Sequence, residues 1–86
     1  MPAITHINVN RNVWISDEKG NPDPGVEFSF EIRTGWVAKE IYIYYDLIEG
    51  IWIGNTIEYD EWRDLSEEEV SNYVESYGLK GMLYDN

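Results

Sequence analysis

Residues 40–59 read EIYIYYDLIEGIWIGNTIEY, two runs of β-branched and aromatic residues on either side of a turn segment, 46–50. Ile41, Ile43 and Tyr45 alternate with Tyr42, Tyr44 and Asp46, and Ile51, Ile53 and Ile57 resume the alternation after Gly50. A period of two is what a strand with one buried face requires, so the stretch predicts a β-hairpin at the centre of a sheet with the isoleucines inward.

Working upstream, Val26, Phe28, Phe30 and Ile32 alternate with Glu27, Ser29, Glu31 and Arg33, a half-buried strand closed by Thr34 and Gly35. Two shorter apolar runs, 4–9 and 13–16, flank the polar triplet Asn10, Arg11 and Asn12 and predict a first hairpin. Between them, DEKGNPDPG (17–25) is crowded with turn formers, and its two prolines argue for an exposed loop without regular structure. The count is five candidate strands in succession, mostly antiparallel because their connections are short.

Downstream of Tyr59 the period changes. Ser66 followed by Glu69 is a capping box, and Leu65 and Val70 stand where a hydrophobic staple would join. Val70, Tyr73, Val74 and Tyr77 then keep the spacing of one buried helical stripe, and Gly78 supplies a left-handed terminator. Leu79 is placed to fold back on Val74, and the tail 80–86 is expected to add an edge strand or to cover the core. The fold class is therefore α+β: a small antiparallel sheet of four to five strands with one C-terminal α-helix packed on it, in a single domain over residues 1–86.

The chain has 86 residues, 43% apolar and 15% aromatic, which is enough for one core and at most one site. The absence of cysteine excludes a disulfide framework, a thiolate nucleophile and cysteine-ligated zinc, and nothing calls for an oxidising compartment. Residues 1–10 carry neither a basic nor an apolar leader segment, and no apolar run approaches the ~20 residues of a membrane span, so a cytoplasmic location is expected. His6 is the single histidine, so catalytic triads would all have to recruit this one strand residue. No phosphate loop, nucleophile elbow or zinc spacing exists, and Asp17, Asn21 and Asp23 miss the EF-hand pattern because Lys19 and Pro22 stand where a ligand and the glycine belong. The sequence calls for no enzyme activity, cofactor or metal.

Charge is the informative quantity. Seventeen acidic residues against six basic ones leave −11, a sign that disfavours nucleic acid, anionic lipid and phosphorylated substrates and favours a basic partner. Residues 58–86 carry −7 of it, and the segment 58–69, EYDEWRDLSEEE, holds seven carboxylates and one arginine. Glu67, Glu68 and Glu69 begin the helix, where carboxylates offset the macrodipole by ~0.3–1 kcal/mol each. Asp60, Glu61 and Asp64 precede the cap with only Arg63 near them. Together with Glu58, Glu67, Glu68 and the aromatic Trp62, which suits an anchor within an acidic rim, they form the candidate partner-binding set. Tyr42 and Tyr44 would be exposed together if the sheet is covered on one side only.

A cysteine-free, strongly acidic α+β domain of this size resembles the small phage-type inhibitors that mimic nucleic acid or block its channel: anti-CRISPR proteins, antirestriction proteins and uracil-glycosylase inhibitors. The stretch GIWIGNTIEYDEWRDLSEEE (50–69) is similar to ArdA-type antirestriction modules, which place a Gly/Trp-containing strand before an acidic helix. The resemblance implies a stoichiometric inhibitor, in the host cytoplasm if phage-encoded, whose carboxylates occupy phosphate positions on a basic nucleic-acid-binding protein. The alternative is a structural or adaptor subunit that binds through an exposed aromatic sheet face and could form a homodimer through an edge strand.

Overall fold

The computed structural model describes residues 6–16 and 19–84. Five strands, β1 (Asn8–Ser16), β2 (Pro22–Thr34), β3 (Val37–Asp46), β4 (Trp52–Glu58) and β5 (Glu61–Asp64), lie in the order of the chain. All neighbouring strands pair antiparallel. Helix α1 (Glu67–Ser76) and a short second helix, α2 (Leu79–Met82), follow. The structure is an α+β fold in which the helix is not the last element.

One face of the sheet makes the core. Val26, Phe28, Phe30 and Ile32 of β2 and Ile41 and Ile43 of β3 meet Leu65, Val70, Val74 and Leu79 in a single buried cluster. Phe30 packs edge-on against both tyrosines of the helical stripe, with ring centroids 5.8 Å from Tyr73 and 5.0 Å from Tyr77. The capping box forms as the sequence requires: Glu69 N–H donates to Ser66 Oγ and Ser66 N–H donates to Glu69 Oε1. Leu65 and Val70 are both buried beside it, and Gly78 adopts a φ of 64° where α1 ends.

Several expectations are corrected. Residues 8–16 form one continuous strand rather than a hairpin, because β2 is long enough to pair with both halves, and the triplet becomes a bulge in which Asn12 takes a φ of 63°. Residues 4, 5, 17 and 18 of the expected first strand and loop lie outside the described residues, as do 85 and 86 of the tail.

Pro22 and Pro24 lie inside β2, opposite Ser16 and Trp14. The β2–β3 ladder ends at Gly25, and the Pro24 carbonyl accepts from Leu47 N–H on that vacated side. The proline nitrogens face the same way, where the ladder asks nothing of them.

Residues 61–64, which precede the cap and are not among the five strands expected, form a strand of their own, β5. Of the two roles expected for the tail it takes the second, covering the core: Met82, at the end of helix α2, and Leu83 are half-buried against it, and the Met82 carbonyl is held by Arg11 Nη2 at 2.7 Å.

The last correction concerns which side of β4 is buried. Trp52, Gly54 and Thr56 face the core, and Ile51 and Ile53 are 46% and 45% exposed. Trp52 packs at a tilt against Tyr45 and Phe28, Thr56 donates its hydroxyl to the Glu40 carbonyl, and Gly54 leaves room for the Ile43 and Leu65 side chains. A packed indole and a place for Leu65 outweigh the three isoleucines. No helix among the described residues is long and apolar enough to cross a membrane.

Candidate protein interface

Pairing register sorts the candidate residues between the two faces of the sheet. Trp62 stands opposite Ile57 and Asp64 opposite Asn55, so both project from the face without the helix, alongside Tyr42. Glu58 and Glu61 are a direct cross-strand pair on the other face, in a depression shared with Lys39 and Arg63. Asp60 is at the tip between them, and Glu67 and Glu68 are exposed in the first turn of α1. The seven candidates therefore follow the β5 margin around the molecule rather than filling one plane.

The tip itself is unusual. Tyr59 and Asp60 both take positive φ, 54° and 62°, as the two central residues of a type I′ turn must. Neither is glycine, and Tyr59 has no short polar side chain to compensate, so the turn holds strain that Asn-Gly would not. Carboxylates directly opposite each other also repel, at Glu58 and Glu61 and again at Glu31 and Glu40.

The one arginine of the acidic segment is engaged by a carboxylate of the helix start. Arg63 makes two parallel bonds to Glu69, Nη1 to Oε1 at 3.0 Å and Nη2 to Oε2 at 2.9 Å. The bond from Arg63 comes first among the causes that hold the Glu69 carboxyl down at about 2, followed by the Ser66 backbone N–H. Arg33 pairs with Glu31. Neither ion pair involves Asp60, Asp64, Glu67 or Glu68.

The open face carries more than the sequence suggested. Tyr42 and Trp62 touch across β4 with ring centroids 5.4 Å apart and planes at 42°. Ile15, Ile53 and Ile57 lie on the same face by register, with Glu27, Glu40 and Asp64 around them. Tyr44 belongs to this face but is only 6% exposed, so the two tyrosines are not presented together. Trp62 is 58% exposed and stands on the side away from the core, while Leu65 is buried at the strand-to-helix junction. The isoleucines were missed because β4 was read with the opposite face buried. Glu27 and Glu40 could have been found by carrying the alternation of β2 and β3 across the sheet.

Among the described residues no group of three or more His, Cys, Asp or Glu side chains is arranged to hold a metal ion. No protein-family model, curated protein or solved structure matches the chain.

Proposed function

We propose that the chain is a non-catalytic acidic inhibitor that binds a basic nucleic-acid-handling protein, such as a CRISPR effector, a restriction enzyme or a repair enzyme, and blocks its DNA or RNA site by mimicry. The observation that supports this reading is the engagement of Arg63 by Glu69, which leaves Asp60, Asp64, Glu67 and Glu68 exposed along one margin and outside both ion pairs found among the described residues. Such a margin presents rigid carboxylates where a cationic groove expects phosphates, and electrostatic steering would make association fast and sensitive to salt. A second reading, a structural or adaptor subunit, draws on the Tyr42–Trp62 contact on the open face.

The deciding experiment immobilises the chain, captures partners from host lysate at low salt, and elutes with rising salt or competing DNA. Mimicry predicts a retained nucleic-acid enzyme that DNA displaces, and loss of its capture in an Asp60→Lys, Asp64→Lys, Glu67→Lys variant. Retention that resists both salt and DNA sinks the inhibitor reading and favours the adaptor.

A further inference from the structure

The two aromatic rings of the open face are each set beside a carboxylate. Tyr42 and Glu40 are two residues apart on β3, and Trp62 and Asp64 are two residues apart on β5, so each ring has an acidic neighbour about 7 Å along its own strand. Across the sheet the pattern inverts. The row through Asn55 runs from Tyr42 to Asp64, and the row through Ile57 runs from Glu40 to Trp62. The result is a checkerboard of two rings and two carboxylates over the centre of β4.

Several features prepare this patch for a cation that is also flat. The rings lean on one another, which fixes both before anything binds, while more than half of Trp62 stays in solvent. Burial, and then the charges of Glu40 and Glu27, push Tyr42 ionisation upward, so its ring stays neutral in a negative surround. A guanidinium stacks on an aromatic face and donates in a fork to a carboxylate in the same plane, and it is more weakly hydrated than an ammonium. Grooves continue the face toward both ends, one beside Trp36 and Tyr59 and one beside Ile15 and Ile53, with room for the residues flanking such an arginine.

We propose that the open sheet face is an arginine-reading surface, on which guanidinium groups of a cationic partner segment lie against Tyr42 and Trp62 and pair with Glu40 and Asp64. This rests on the reading of the partner as a basic protein and names the side chain that the surface selects. A second copy of the chain is a poor occupant, because it would bring the same carboxylates and a further −11 against this face. Charge complementarity therefore favours a segment rich in arginine.

The test uses the full chain with two probes, an arginine homopeptide and a lysine homopeptide of equal length, at about 0.15 M salt. Affinities are measured by calorimetry, and the Trp62 indole N–H is followed by NMR. The arginine peptide is expected to bind about fivefold tighter and to move the Trp62 signal. Trp62→Leu, which alters an exposed side chain away from the core, should erase the preference by lowering arginine-peptide affinity more than lysine-peptide affinity. Trp62→Phe should keep part of the preference.

Equal affinity for the two peptides, a preference that survives Trp62→Leu combined with Tyr42→Leu, or an unmoved indole signal overturns the inference and leaves the inhibitor reading standing. Binding of neither peptide overturns both, because the charge argument would then fail for any basic partner.

Discussion

Tyr44 lies across Gly25. The two are diagonal neighbours on β3 and β2, and a Cβ built on Gly25 would sit 2.2 Å from Tyr44 Cζ. Glycine therefore stands in the middle of a strand for a steric reason, and the ring that covers it donates its hydroxyl to the Asp23 carbonyl. This packing is why Tyr44 is buried on the face opposite α1. Gly25→Ala should destabilise the fold by about 1–3 kcal/mol through overpacking, measured by urea denaturation. Tyr44→Phe, which loses only the hydroxyl bond, should cost about 1 kcal/mol. A neutral Gly25→Ala would mean that the ring can swing away, contrary to its burial.

The Arg63–Glu69 pair gives a signed dependence on pH. The Glu69 carboxyl is lowered from 4.5 to about 2 on folding, so its contribution is present above pH 4.5 and is lost as pH falls toward about 2. Other carboxylates titrate over the same range, so the comparison must be with Glu69→Gln, which keeps the cap geometry and removes the charge. The difference in Tm between the two proteins should be greatest above pH 4.5 and should vanish near pH 2. A constant difference across that window would show that folding does not lower the Glu69 carboxyl.

At the β4–β5 tip, stability and binding should move in opposite directions. Replacing the residues with positive φ by Tyr59→Asn and Asp60→Gly installs the turn that a type I′ geometry prefers and should stabilise the chain by about 0.5–1 kcal/mol. If the tip serves a basic partner, the same variant should bind that partner less tightly. A variant that is no more stable would show that the surrounding ladder already relieves the turn.

Exposure separates the aromatic residues by role. Phe28 is fully buried between Trp52 and the core, so Phe28→Ala should cost about 3–5 kcal/mol. Trp36 stands free of the fold at the β2–β3 turn, so Trp36→Ala should change stability by less than about 0.5 kcal/mol. Thermal denaturation of the two variants measures both, and a large loss at Trp36 would require contacts that the turn does not make.

Local chemistry was the legible part of this sequence. Ser66 and Glu69 form the expected box, the helical stripe faces Phe30, and β2 and β3 bury the sides that their alternation demands. The misreadings share a cause, since each depended on a packing or pairing partner that the stretch itself does not specify. Asn10, Arg11 and Asn12 look like a turn until β2 is known to run past them. Two prolines look like a loop until the ladder on one side is known to stop at Gly25. Ile51, Ile53 and Ile57 look buried until Leu65 claims the space over Gly54. The same dependence hid the surface around Trp62, because β5 acquires its two faces only by pairing with β4.

The strand order has a kinetic consequence. Each strand is hydrogen-bonded to the strand that adjoins it along the chain, so the sheet can close as a series of hairpins with little loop entropy lost at any step. Such a chain is expected to reach its native state rapidly from synthesis, with α1 sealing the hydrophobic side once β2 and β3 have met.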